Sequence, residues 1–104
     1  MKRIQLKGKA FKGLDGEYLK DAEGEKVLMG KTIGNMLVGG ANTDKNKIAK
    51  HYSLALRFYE GVNFDLDDSD IETSEDAIAK VQNWSDLVKA QALSLLKEAK
   101  EAKK

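Results

Sequence analysis

The chain contains no cysteine and no proline, and its 104 residues include a single histidine and a single tryptophan. Without thiols, disulfide staples and thiolate metal sites are excluded. Without proline there is no rigid linker and no obvious domain boundary. A chain of this length is of ordinary size for one domain. The expectation is a single domain over residues 1–104, with a β-rich segment at 1–30, a helical segment at 31–100 and a frayed tail at 101–104. No stretch approaches the roughly 18 apolar residues of a membrane span. The opening Met1-Lys2-Arg3-Ile4 is basic, but the apolar run of about seven or more residues that marks a secretory signal does not follow. The expected setting is therefore the cytoplasm of a bacterial cell, with no membrane contact.

What the chain does have is charge, in 34% of its residues, balanced to a net +1. That sum provides no global drive toward nucleic acid or a bilayer, but its distribution is uneven. Residues 1–13 carry Lys2, Arg3, Lys7, Lys9 and Lys12 and no acid, whereas residues 65–76 carry seven acids from Asp65 to Asp76 and no base. The apolar fraction of 41% suffices for a modest core and argues against wholesale disorder.

Periodicity divides the chain at Gly39-Gly40. Ile4 and Leu6 alternate with polar neighbours, as a strand with one buried face does. Asp15-Gly16 and Glu23-Gly24 mark tight turns, so residues 3–28 read as a β-hairpin or meander of short strands. Such strands are marginal alone and need helices to pack on. Ile33, Met36 and Leu37 share one face of a short helix, 31–38, with a left-handed residue expected at Gly39. Asn42-Thr43-Asp44 supplies a cap for a longer helix, about 45–60, ending at Gly61. Its apolar set, Ile48, Tyr52, Ala55, Leu56 and Tyr59 with Leu54 and Phe58 alongside, is wide, so this helix is expected to be central. Ser69 to Glu72 fits a capping box for a helix burying Ile71, Ile78 and Val81 and ending near Asn83. Ser85 caps the last helix, with Leu87, Val88, Ala92, Leu95, Leu96 and Ala99 as its stripe. The last two helices form an αα-hairpin, with Trp84 placed to set how they meet. No internal repeat is evident. The fold class is α+β, a short N-terminal β-hairpin or meander packed on about four helices.

Three patterns hint at chemistry, and each fails at a required position. Gly30-Lys31-Thr32 resembles the end of a phosphate-binding loop, but that loop needs four residues between its glycines, and five separate Gly24 from Gly30. Asp65-x-Asp67-x-Ser69 begins like a calcium loop. Its sixth and twelfth places, which call for glycine and a bidentate glutamate, hold Asp70 and Asp76. These acids suit a helix start, where carboxylates offset the dipole. His51 stands alone and reads as a partly exposed surface residue. No catalytic residue, metal or cofactor is expected.

Leu14-Asp15-Gly16, Leu19-Lys20-Asp21 with Gly24-Glu25, and Leu28-Met29-Gly30-Lys31 together resemble the start of small proteins encoded in tailed-phage and prophage genomes. Leu54 to Tyr59, Asp65 to Asp70 and Leu87 to Gln91 are similar to later parts of those proteins. The resemblance implies a phage or prophage product and transfers no catalytic residue. The functional expectation is a non-enzymatic interaction protein, an assembly factor or modulator of a host protein, with Phe58, Tyr59 and Leu93 supplying apolar contacts to a protein partner or a second copy. The alternative is a nucleic-acid accessory protein using Lys2, Arg3, Lys7 and Lys9. Nucleic acid is the less expected partner, because a lysine-defended strand edge explains the same residues.

Overall fold

In the computed structural model, which describes residues 2–40 and 44–101, six elements follow in order. They are β1 (Lys2–Ile4), α1 (Met29–Gly39), α2 (Lys45–Glu60), β2 (Phe64–Leu66), α3 (Asp68–Lys80) and α4 (Asp86–Glu101). The α+β class and the four packed helices follow the sequence pattern, and so does the closing αα-hairpin of α3 and α4.

The N-terminal segment holds the expected short β pieces, but its first strand pairs outside the segment. β1 pairs antiparallel with β2, Lys2 opposite Leu66 and Ile4 opposite Phe64. Ile4 and Leu6 alternate with polar neighbours, and Val62, Phe64 and Leu66 alternate with Asn63, Asp65 and Asp67 in the same way. The two alternations serve a pairing some 60 residues apart, which buries Ile4 and Leu66 on the same side. Asn63 secures the junction, its Oδ1 accepting from the amides of Leu6 and Lys7 at 2.7 and 2.9 Å. Loop residues carrying such bonds leave few buried amides unsatisfied.

Between β1 and α1 lies a repeat that composition and periodicity do not reveal. Three short extended pieces, around Phe11, Leu19 and Val27, are bridged pairwise: Ala10 with Leu28, Lys12 with Tyr18, Lys20 with Lys26. Their central residues close a ring of backbone hydrogen bonds. The Phe11 amide donates to the Val27 carbonyl, the Val27 amide to Leu19, and the Leu19 amide to Phe11, at 3.0, 3.0 and 2.9 Å. A second ring surrounds it, from Gly13 to Glu17, Asp21 to Glu25 and Met29 back to Lys9. Each set is related by a step of eight residues, so this segment is a pseudo-threefold triangle. The expectation of no internal repeat is corrected here. The signal was the spacing of Phe11-Lys12 with Asp15-Gly16 against Leu19-Lys20 with Glu23-Gly24, and it is short because only turn and bridge positions are constrained.

Gly16 and Gly24 occupy equivalent corners with φ of +83° and +80°. Each ends a three-residue loop in the left-handed conformation that a type I turn with a bulge requires. Any residue with a Cβ is strained there, so Gly16→Ala and Gly24→Ala are each expected to cost about 1 kcal/mol. Urea unfolding of the two variants should give matching losses.

The triangle lays Phe11, which is fully buried, onto the core, with Leu19 and Val27 packed beside it. Trp84 meets the Phe11 ring edge-on at 6.1 Å, so it joins the helical hairpin to the triangle. One continuous cluster collects Ile4, Leu6, Phe11, Ile33, Leu54, Phe58, Ile71, Ile78 and Leu96 from every element and the triangle.

Several boundaries differ from the sequence reading for local reasons. Gly39 is inside α1, and neither it nor Gly40 has a positive φ. The cap of α3 is Asp67, two residues before Ser69. Its carboxylate accepts from the Asp70 amide at 2.7 Å while Asp70 accepts from the Asp67 amide. An aspartate at both positions makes a better reciprocal box than Ser69 with Glu72, because both acids also face the helix dipole. α3 ends at Lys80, with Val81 only partly buried. Ser85 caps α4, accepting from the Val88 amide at 3.3 Å. Ala99 is buried and Glu101, expected in the frayed tail, is still helical, and residues 102–104 lie outside the described residues. Asp44 caps α2, accepting from the Asn46 amide, while Asn42 and Thr43 lie outside the described residues.

Candidate interaction face on the second helix

α2 carries more apolar side chains than one helical face can bury, and the packing chooses among them. Leu54, Ala55 and Phe58 turn inward, and the Phe58 ring meets Phe64 edge-on at 5.2 Å. α2 rests chiefly on α1, whose Gly30 and Gly34 let the two backbones approach closely. A Cβ on Gly34 would lie 2.8 Å from the Ala55 carbonyl oxygen, and one on Gly30 would overlap that of Phe58. This close seam leaves the other face of α2 uncovered. Ile48, Tyr52, Leu56 and Tyr59 stand along it, each about half exposed or more. Spacings of four, four and three place them in one stripe. The helix is therefore peripheral, which corrects the expectation of a central one.

The stripe ends at a recess of about 140 Å³ beside Tyr59, walled by Leu6, Leu28, Gly30 and Gly61 with Lys9, Lys31 and Glu60 at its rim. The Lys31 ammonium sits 5.6 Å from the Tyr59 ring centre. By helical spacing Lys45 precedes Ile48 and Glu60 follows Leu56 on the same side, so the stripe has a base at one end and an acid at the other.

The residues singled out by sequence separate into different surroundings. Tyr59 is on the exposed stripe, but Phe58 is 0% exposed and belongs to the core. Neighbours in sequence lie about 100° apart on a helix, so only one of the two can face outward. Leu93 is partly buried and packs against the core cluster. Missed were Ile48, Tyr52 and Leu56, which periodicity counted with the buried set. The signal that could have found them is the pair of glycines four apart in α1, which marks a backbone contact with room for only one face of its partner.

The basic residues do not form a single patch. Arg3 pairs with Asp65 across β1 and β2 at 2.9 Å, with both side chains about half exposed, so an acidic strand lines the basic one. Lys2 is partly buried in β1. Lys7 and Lys9 are exposed, and Lys9 borders the recess and also a 280 Å³ groove against α4 that Met29, Gln91, Leu95 and Glu98 help to line. Lys12 and Lys26 both lie over the Tyr18 ring, at 5.0 and 4.1 Å.

Four of the seven acids of the 65–76 segment, Asp65, Asp67, Asp70 and Glu75, make structural contacts. Asp67 and Asp70 form the cap of α3, Lys50 of α2 reaches Ser69 and Asp70, and Glu75 pairs with Lys100 at 3.6 Å. Among the described residues no group of three or more histidines or acids is arranged to hold a metal. Gly30-Lys31-Thr32 forms the first turn of α1, where the Thr32 hydroxyl donates to the Leu28 carbonyl at 2.8 Å. His51 is partly buried, its Nδ1 3.2 Å from the Leu37 carbonyl. Ser74 is the one buried polar side chain among the described residues, and its hydroxyl donates to the Asp70 carbonyl. No described helix is long and apolar enough to cross a membrane.

No family model, curated protein or solved structure matches this chain. The α2 face is what remains as a candidate site.

Proposed function

We propose that the chain is a non-enzymatic interaction protein of the tailed-phage and prophage type, working in the bacterial cytoplasm, and that it engages a protein partner through the exposed face of α2. One observation carries this reading: Ile48, Tyr52, Leu56 and Tyr59 stay in water while the core is complete without them. Scattered single apolar residues on a surface need no explanation, but a contiguous row marks an interaction site. Tyrosine suits such a site because its ring is apolar and its hydroxyl tolerates solvent. An assembly factor and a modulator of a host protein would both use such a face.

The test is photo-crosslinking in bacterial cells, with a benzophenone amino acid placed at position 52 or 56, and at the exposed Glu72 position of α3 as control. Discrete adducts are expected from 52 and 56 and not from 72. No adduct from the stripe, or equal adducts from all three sites, would overturn the reading. The pairing of Arg3 with Asp65 predicts that DNA and RNA oligonucleotides show no mobility shift with the protein even at low salt, where phosphate contacts are strongest.

A further inference from the structure

We infer that the occupant of the α2 face is a second copy of the same chain, laid antiparallel about a twofold axis; this deepens the proposed function and rests on it. The order of side chains along the stripe carries the inference. It alternates aliphatic and aromatic, Ile48, Tyr52, Leu56, Tyr59. An antiparallel copy sets Ile48 against Tyr59 of the second copy and Tyr52 against its Leu56, so each aliphatic group meets a ring. A parallel copy would stack like on like.

One charge pair fits the same arrangement. Lys45 and Glu60 end the stripe at opposite termini, so antiparallel pairing brings each Lys45 to a Glu60, twice by symmetry, with Lys9 and Lys31 also at that end beside the recess. Parallel pairing would set lysine on lysine and glutamate on glutamate. The midpoint of Lys45 and Glu60 falls one residue from the midpoint of Ile48 and Tyr59, so each Lys45 is offset by two residues, about 3 Å along the helix, from its Glu60, within reach of a flexible lysine. The helix dipoles also oppose favourably when antiparallel.

The recess beside Tyr59 completes the fit. It is about 140 Å³, and the antiparallel register brings Ile48 of the second copy toward Tyr59, which lines it. A twofold contact uses one patch against itself, and the order of aliphatic and aromatic side chains along this patch is complementary when inverted. One helix per copy buries less than the roughly 1,200 Å² of a standard interface, so the dimer is a weak one.

Sedimentation equilibrium on the full chain, from about 1 to 500 μM, tests this. A monomer–dimer equilibrium is expected. Tyr52→Ser should raise the dissociation constant at least tenfold, with the circular dichroism spectrum unchanged. Lys45→Glu and Glu60→Lys should each weaken the dimer about tenfold, whereas the double variant K45E/E60K should return to within about twofold of wild type. A monomer at every concentration would overturn the inference. So would a dimer indifferent to Tyr52→Ser, or one that the charge reversals weaken without mutual rescue. A strict monomer together with a position-52 crosslink to a protein of another mass would overturn the second copy and leave the proposed function standing. An absence of both would sink the two together.

Discussion

Replacing Phe58 with alanine is expected to remove about 3–5 kcal/mol of folding stability, while Tyr59→Ala, one residue along, changes it by no more than about 1 kcal/mol. Phe58 is fully enclosed and packs edge-on against Phe64, so its deletion loses the transfer energy of a whole ring and leaves a cavity that the tight α1–α2 seam cannot close. Tyr59 is half in water, and its truncation mainly gives up a contact with Lys31 and one wall of the recess. Against a total of about 5–15 kcal/mol for a domain, the first change is severe and the second slight. Urea unfolding followed by Trp84, the only tryptophan and partly buried against Phe11, measures both. Equal losses from the two variants would mean that α2 is rotated from the orientation described. The same pair should reverse in the dimer assay, where Tyr59→Ala weakens association.

The second large effect is expected from a substitution that ordinarily helps a helix. Glycine to alanine in an exposed helix interior gains about 1 kcal/mol. Gly30→Ala should instead lose about 3 kcal/mol, the upper end of overpacking costs. The added methyl group would overlap the carbonyl oxygen of Phe58 and come within 3.1 Å of Leu6 Cδ2. A backbone carbonyl cannot rotate out of the way as a side chain can. This one also accepts the Gly61 amide at 3.0 Å, which closes α2. Moving it would loosen the end of α2 together with the seam. Gly34→Ala meets the Ala55 carbonyl less closely and should lose less. Thermal unfolding ranks the three proteins, and a Gly30→Ala variant as stable as wild type would show that the helices are not held at that distance.

Much of the local structure was legible because local signals are strong where the chain is punctuated. Asp44 and Gly61 bound α2, Ser85 opens α4, and the three-four spacing of Ala92, Leu95, Leu96 and Ala99 named the buried side of the last helix. The α+β class follows from the change of period at the glycine pair. Boundaries slipped where the cap departs from the usual pattern, as at α3, since the Asp67–Asp70 box has neither the serine or threonine nor the glutamate or glutamine that marks one in sequence.

The sequence by itself determined the helices, most of their ends, the two one-faced strands and which side of α4 is buried, because those depend on residues within a turn or two of each other. Only the tertiary structure decided that β1 pairs with a strand some 60 residues away, that three octads close into a triangle, and which apolar face of α2 goes inside. Each of these is a contact between distant parts of the chain, and periodicity does not specify the partner. The face of α2 was settled by two glycines on another helix. Their missing side chains draw Phe58 and Ala55 inward, and so turn Ile48, Tyr52, Leu56 and Tyr59 out to meet something else.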